Sequence, residues 1–470
     1  MIVEDKTIIL FYWAAMSKTY RPYEPDQMFL LPPSLAEWLP KNHMVFFVRE
    51  VLDEMDLRPI TSEYEDEERG FPPYHPKMMT GILLYGYCCG ITSSRKLAKH
   101  CEEDVAFRVL AANNQPDHRT ISDFRKRHLK ALEHVFVKIL RLGREAGLVK
   151  VGHVALDGTK MKANASKHKA MSYGRMKEDI TRLEREIAQL LDQAEATDAR
   201  KDAQYGKDKR GDELPDELTR RETRLAKIKA AKRALEEEAK LGREKEQKKP
   251  PSDESIPMAK VKTTTDAQGK ERVDDSAQRN FTDPESRIMP NQKTFVQGYN
   301  AQIAVDSTHQ IIVATDLSNH PKDDDLLKHI VKRLPEKPEV LTADAAYGTP
   351  ENIKYLTKRH IDAYIVISRQ KHGPHTEPPP RGRIPEHFSV KERMARKLKT
   401  MKGRAIYARR KVIAEPVFGQ IKNCQGIRDI CLRTHVKARA EWFLIAATHN
   451  LRKLFRASVK ESTEKLLWAT

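Results

Sequence analysis

The chain has 470 residues, 39% of them hydrophobic and 32% charged, with a net charge of +18 and an isoelectric point near 9.5. That length allows two or three domains with a large core, and so large a cationic surplus favours a polyanionic partner, nucleic acid first. Five scattered cysteines without a C-x-x-C pair argue against a disulfide framework and a zinc site, and fit a reducing compartment.

Residues Thr7–Ala15 are apolar but too short to cross a bilayer, and Glu4 and Asp5 give the wrong flank for a signal peptide. Residues 1–16 read as an extension of the reading frame, and no membrane is expected as a partner. Asn42–Met44 open an amphipathic helix with Val45, Phe46, Val48, Val51, Leu52 and Met55 inward, and Glu63–Arg69 reads as an acidic loop. Residues 17–148 are expected to form an all-α N-terminal domain that binds DNA. Pro76 starts one helix and Gly90 ends it. In DHRTISDFRKRHLK (117–130), Thr120 with Asp123 three residues later resembles a capping box. Arg125 and Lys126 on that helix are candidate phosphate contacts, with a solvated basic face equally open.

Residues 151–157 form an apolar strand ending in Asp157, and Gly158–Met161 continue it past the carboxylate. Residues 165–290 interrupt the pattern. Ile180, Leu183, Ile187, Leu190 and Ala194 mark one heptad seam, and Leu218, Leu225, Ile228 and Leu235 mark a second. A polar connection over 199–215 makes these an inserted helical hairpin, with a short dimerising coiled coil left open. Residues 250–280 are poor in large apolar side chains and read as a mobile linker.

Strands return at 294–306 and 310–316, followed by a helix over Asp323–Leu334. Val340 and Leu341 start a short buried strand that delivers Asp344 at its end, and Gly348 breaks it. Thr349, Pro350 and Glu351 open the next helix. Ala363–Ser368 is a further strand. Lys391–Lys411 carries ten cations and one acid, with Arg396 and Lys397 as candidate phosphate contacts. Residues 404–423 and 435–455 read as helices, and 456–470 as a tail.

Leaving out 165–290, the order is strand with Asp157, two antiparallel strands, helix, strand with Asp344, helix, strand, and a helix with Glu415. This predicts an α/β fold: a ribonuclease H-like mixed sheet over 149–164 and 291–455, interrupted by the hairpin and preceded by the all-α domain. Three carboxylates converging from two strand ends and a helix suit Mg²⁺ or Mn²⁺. Two such ions could clamp both oxygens of an in-line phosphoryl displacement. At roughly 100° per residue, Tyr407, Lys411, Glu415, Phe418 and Lys422 share one helical face, while Arg410 falls roughly 140° from Glu415. Pro416 either kinks this helix or starts a new one with Glu415 at its cap. Lys160, Tyr407, Arg410, Lys411 and Lys422 complete the candidate DNA contacts.

DGTKMKANAS (157–166), GYNAQIAVD (298–306), ADAAYG (343–348) and EPVFGQIK (415–422) resemble insertion-sequence DDE transposases. The helical stretch from Phe71 to Cys101, with DHRTISDF (117–124), is similar to the N-terminal domain of the same enzymes. The resemblance covers most of residues 17–455. It implies cleavage and strand transfer at element ends, with Asp157, Asp344 and Glu415 as ligands of two Mg²⁺ or Mn²⁺ ions. It also implies double-stranded DNA partners (terminal inverted repeats and a target), a homodimer or larger active complex, and a nucleoid-associated cytoplasmic location. The family pattern Tyr-x2-Arg-x3-Glu-x6-Lys is kept from Glu415 to Lys422, but four residues separate Arg410 from Glu415. This leaves Arg410 and Lys411 as rivals for the arginine position. Ala346 stands where Gly is common. A catalytically silent domesticated DNA-binding protein and a host nuclease of the same fold are the alternatives. The presence of all three carboxylates favours the enzyme, and inverted repeats flanking the gene would separate the readings.

Overall fold

The computed structural model describes residues 34–65, 73–205, 216–247, 256–266, 269, 271–291, 294–367 and 378–468. The expected extension over 1–16 lies outside these residues, as does the hairpin connection from 206 to 215.

The N-terminal helices follow local sequence chemistry closely. Helix α1 (Met44–Asp53) is capped by the His43 ring, which accepts from Val45 N–H, and buries Val45, Val48, Val51 and Leu52. Helix α2 (Arg58–Glu65) takes in the start of the expected acidic loop. Helix α3 (Pro76–Cys88) is buried along most of its length and ends before Gly90, whose φ is +79°. Gly90 lies against the Gln425 backbone, and any side chain there would collide with it. Helices α4 (Ser94–Glu103) and α5 (Val105–Leu110) follow. Helix α6 (His118–Arg127) starts two residues earlier than expected, because Asp117 accepts from Arg119 N–H and Thr120 N–H. Helix α7 (Leu129–Glu145) completes this layer.

Strand β1 (His153–Lys162) leads into β2 (Ala170–Ser172) and then a helical hairpin, α8 (Tyr173–Tyr205) and α9 (Asp216–Gln247). The two hairpin helices bury Met176, Leu183, Ile228, Ala231 and Leu235 in a small core separate from the main one. Of the linker expected over 250–280, residues 250–255, 267, 268 and 270 lie outside the described residues, and much of the rest is folded. Strand β3 (Thr263–Thr265) pairs with β4 (Glu271–Val273), and β5 (Gln278–Asn280) pairs with β2. Strand β6 (Arg287–Asn291) joins the main sheet. Apolar content undercounts this segment because buried polar groups hold it: Tyr299 Oη and Thr434 N–H donate to the Asp283 carboxylate, and Asn280 Nδ2 donates to Ser166 O.

The main sheet continues with β7 (Thr294–Asp306), whose last ten residues are all buried, and β8 (Ile312–Ser318). A 3₁₀ turn at Asp324–Leu326 shortens the helix expected from Asp323, leaving α10 (Leu327–Lys332). Strand β9 (Val340–Ala343) delivers Asp344. Helix α11 (Pro350–Lys358) has Thr349 as cap and Pro350 at its start, as its sequence indicates. Strand β10 (Asp362–Ile365), helices α12 (Val390–Lys399), α13 (Met401–Ile413) and α14 (Glu415–Gly419), a π-turn at Gln420–Cys424 and helix α15 (His435–Trp468) complete the order.

The sheet runs β10-β9-β1-β7-β6, with β8 also paired to β7. Strands β1 and β7 are antiparallel, whereas β9 is parallel to both β1 and β10. This mixed sheet with flanking helices is a ribonuclease H-like core. Trp442 on α15 is fully buried and donates from Nε1 to Thr315 Oγ1 on β8, 2.7 Å away. The N-terminal helices share one buried core with the sheet and α15. Arg439 on α15 bridges Glu133 on α7 and Asp316 on β8, so the two layers are also joined by buried charge.

Candidate active site

Asp157 lies midway along β1, opposite Ile303 of β7, and its carboxylate accepts from Gly158 N–H at 2.9 Å. Asp344 follows the last residue of β9, and its Oδ1 accepts from Ala346 N–H at 3.0 Å, which fixes the turn after the strand. Because β9 is the parallel neighbour of β1, with Ala155 aligned on Thr342, both aspartates are carried to the same region of the sheet. Glu415 arrives from the opposite direction. The helix breaks at Ala414 and restarts at Glu415, with Pro416 in its first turn. Of the two readings open for Pro416 the structure shows a short new helix, with Ala414 at its cap and Glu415 as its first residue rather than its cap.

Arg410 gathers these acids. Its Nη1 lies 3.5 Å from Asp157 Oδ2 and its Nη2 lies 3.1 Å from Glu415 Oε1. The arginine side chain is 12% exposed, and among the described residues its Nε and Nη1 have no hydrogen-bond acceptor. The helix break at Ala414 lies between Arg410 and Glu415, which nonetheless meet. Lys411 is exposed and takes no part. With the helix broken at Ala414, Arg410 and not Lys411 lies beside Glu415, so of the two rivals for the arginine position the geometry favours Arg410.

Electrostatics mark the cluster as strained without further cations. Burial pushes the Asp157 carboxyl up to about 6; Asp344 and Glu415 add to this, while Arg410 opposes it. Burial also raises Asp344, with Asp323 adding and Arg410 and Lys160 opposing. Tyr407 lies beside Arg410, with the guanidinium carbon 5.9 Å from its ring centre, and burial raises its hydroxyl. Lys422 donates from Nζ to Thr159 Oγ1 at 2.6 Å and to Lys160 O at 3.1 Å, pinning the π-turn to β1 just beyond Asp157. Burial lowers its ammonium pKa.

The remaining expected DNA contacts divide differently. Arg125 is 4% exposed and donates to Tyr87 Oη, Thr92 O and Ser94 Oγ. It cannot reach a phosphate, and its place among the candidate DNA contacts is corrected. Its charge is needed inside, where Tyr87 Oη donates in turn to the buried Glu441. Lys126 faces outward, beside Asp123, on a cleft of about 450 Å³ that also holds Arg95, His118 and Arg119. Lys397 is tied to Asp362 and Ala363 O at the sheet edge, and Arg396 donates to Arg381 O and Gly382 O. Lys397 Nζ and Arg396 Nη2 are thus engaged with local groups. Lys160 points into the site and pairs with Asp323 at 3.1 Å.

Four residues near the acids went unassigned from sequence: Asn300, Gln302, Asp323 and Tyr347. The signal was present in β7, where Asn300 and Gln302 interrupt an apolar run and are fully buried. Buried amides in a central strand need dedicated partners. Asp323 opens the expected helix, but its side chain makes no cap hydrogen bond and turns toward the site.

Among the described residues, no three Asp, Glu, His or Cys side chains as they stand form a set close enough to hold a metal ion. The donor chemistry nonetheless fits a hard divalent cation. All three ligand candidates are carboxylates, and the two aspartates are raised by burial and by neighbouring acids. One incompletely bonded guanidinium supplies the compensating charge between Asp157 and Glu415.

A model described as a transposase domain (DUF772) matches residues 33–127, and one described as a transposase DDE domain matches residues 260–451. No curated protein and no solved structure matches the chain. The second match takes in Asp344 and Glu415 and begins after Asp157, which the sheet places beside them. The two matches cover more than half of the chain in the order helical domain, then DDE core, and the chain belongs to the insertion-sequence DDE transposases.

Proposed function

We propose that this transposase binds the terminal inverted repeats of its element and carries out divalent-metal-dependent cleavage and strand transfer, with Asp157, Asp344 and Glu415 as the catalytic carboxylates. The observation that supports this most is the convergence of Asp157 and Glu415 on Arg410, with Asp344 electrostatically coupled to the same group. Divalent ions held by the three carboxylates would supply activation of the attacking oxygen and charge stabilisation at the leaving oxygen. Asp157 on β1 and Asp344 directly after β9 hold a fixed spacing, while Glu415, 49% exposed, closes the site from a separate helix. Arg410, freed from the acids, is placed to hold the scissile phosphate, and Tyr407 supports it from below. Lys422 keeps the helix carrying Glu415 in register with β1. Lys126 and the cations of its cleft are the surface we assign to backbone phosphates at the element end.

We further propose residues 17–148 as the end-binding unit, 149–164 with 291–455 as the catalytic unit, 165–290 as an insertion, and a homodimer or larger assembly on DNA. Among the described residues no helix is long and apolar enough to cross a membrane. The direct test incubates purified protein with duplexes carrying the element ends and Mg²⁺. Wild-type protein should nick or cut at the repeat boundary and join ends to a target, and Asp344→Ala should bind the ends without cutting. Cutting by Asp344→Ala at the wild-type rate would overturn the assignment.

A further inference from the structure

We propose that Gln302 is a positioning residue that sets the distance between the two catalytic aspartates. The inference rests on the proposed role of Asp157 and Asp344. Gln302 lies on β7 directly opposite Gly158, the residue after Asp157. Its side chain is fully buried, and all of its polar atoms are engaged. Oε1 accepts from Tyr347 Oη, the last residue of the turn that begins at Asp344. Nε2 donates to Asn300 Oδ1 at 3.0 Å and to Asp323 Oδ1 at 2.9 Å.

The amide therefore spans from the Asp344 turn to the Asp157 strand. Gly158 makes the span feasible, because a side chain at that position would collide with Gln302 Nε2. Asp323 Oδ1 is the anchor at the far end. It also accepts from Asn300 Nδ2 at 2.6 Å and from Lys160 Nζ at 3.1 Å, and Lys160 is itself on β1. One carboxylate oxygen thus collects donors from β1 and β7, and Gln302 passes that constraint to Tyr347. Strands β1 and β9 pair over three positions, from His153–Val340 to Ala155–Thr342, and this network extends the fixed geometry past the end of their pairing. A buried amide with partners on each side resists displacement because any shift leaves a polar atom unsatisfied.

The test compares full-length wild-type protein with Gln302→Met, which keeps the side-chain length and loses the hydrogen bonds, and with Tyr347→Phe, which removes one link. Two readouts are taken: the thermal shift on titrating Mn²⁺ without DNA, and end cleavage against Mg²⁺ and Mn²⁺ concentration. Gln302→Met should need about tenfold more metal in both readouts, with cleavage partly recovered at high Mn²⁺ and end binding within twofold of wild type. Tyr347→Phe should move in the same direction by a smaller factor, and carries the test if Gln302→Met fails to fold. Metal midpoints within twofold of wild type in the folded variants overturn the inference, as does cleavage that falls only in step with the folded fraction. Wild-type protein that answers to metal in neither readout overturns the proposed function and this inference together.

Discussion

Arg410 Nη1 stands 3.5 Å from Asp157 Oδ2, while the Nη2 of the same guanidinium stands 3.1 Å from Glu415 Oε1. One cation is thus shared by two carboxylates that come from different elements. A unit charge pair at about 4 Å is worth about 4 kcal/mol at an effective dielectric near 20. A divalent ion entering between these acids must displace or repel that arginine.

Arg410→Ala should therefore bind Mn²⁺ at least tenfold more tightly than wild type at pH 8.5 by calorimetry, even as end cleavage falls. Unchanged or weaker Mn²⁺ binding would show that Arg410 does not compete for the ion's place.

The raised Asp157 pKa gives a pH signature. Between its ordinary value of 3.8 and about 6, the folded protein keeps a proton that the unfolded chain has lost. Stability of the metal-free protein should fall as pH rises through that window, by about 3 kcal/mol from this group. Asp157→Asn should be the more stable protein at pH 7.5 without metal, with the gap closing toward pH 4 in urea titrations. End cleavage by wild type should decline as pH drops below about 6, where the proton competes with metal. An Asp157→Asn protein less stable than wild type at pH 7.5 would contradict the desolvation argument.

Arg125 and Lys126 are adjacent in sequence and opposite in role. Arg125→Ala leaves the Tyr87–Glu441 pair without its buried cation and should cost about 3 kcal/mol in stability. Its folded fraction should bind element ends normally. Lys126→Glu should leave stability within about 0.5 kcal/mol, weaken end binding, and lower the magnitude of the salt slope by about 1 or more. Filter-binding isotherms at several salt concentrations, read beside urea melts, check both.

The inserted hairpin has its own small core, so it should fail separately. Ile228→Asp puts a charge where a residue is 2% exposed and should remove helical signal from α8 and α9 in far-ultraviolet circular dichroism. The main unfolding transition should move by less than about 1 kcal/mol. Collapse of the whole protein would show that the two cores are energetically one.

The strand order and the two aspartates were legible because each lies at or beside an apolar run bounded by turn residues. The heptad seams showed the hairpin for the same reason. Four features were not legible. Asp117 outcompeted Thr120 as a cap, since both suit the position and only local geometry decides. Much of the segment expected as a mobile linker over 250–280 is held by strand pairing and buried polar groups rather than by large apolar side chains. Arg410 was misplaced by a helical wheel drawn through Ala414, where the helix breaks. The burial of Arg125 depends on Glu441, more than three hundred residues away, and no local pattern carries that information.

The central claim is that Asp157, Asp344 and Glu415 surround one metal-binding centre. Fe²⁺ can replace Mg²⁺, and with ascorbate and peroxide it generates radicals that cut the chain beside the bound ion. Fragments are expected from cuts near residues 157, 344 and 415, suppressed by excess Mg²⁺ and lost in Asp344→Asn. Cuts clustered at other acids such as Asp179 or Asp316, or a pattern unchanged in Asp344→Asn, would contradict it.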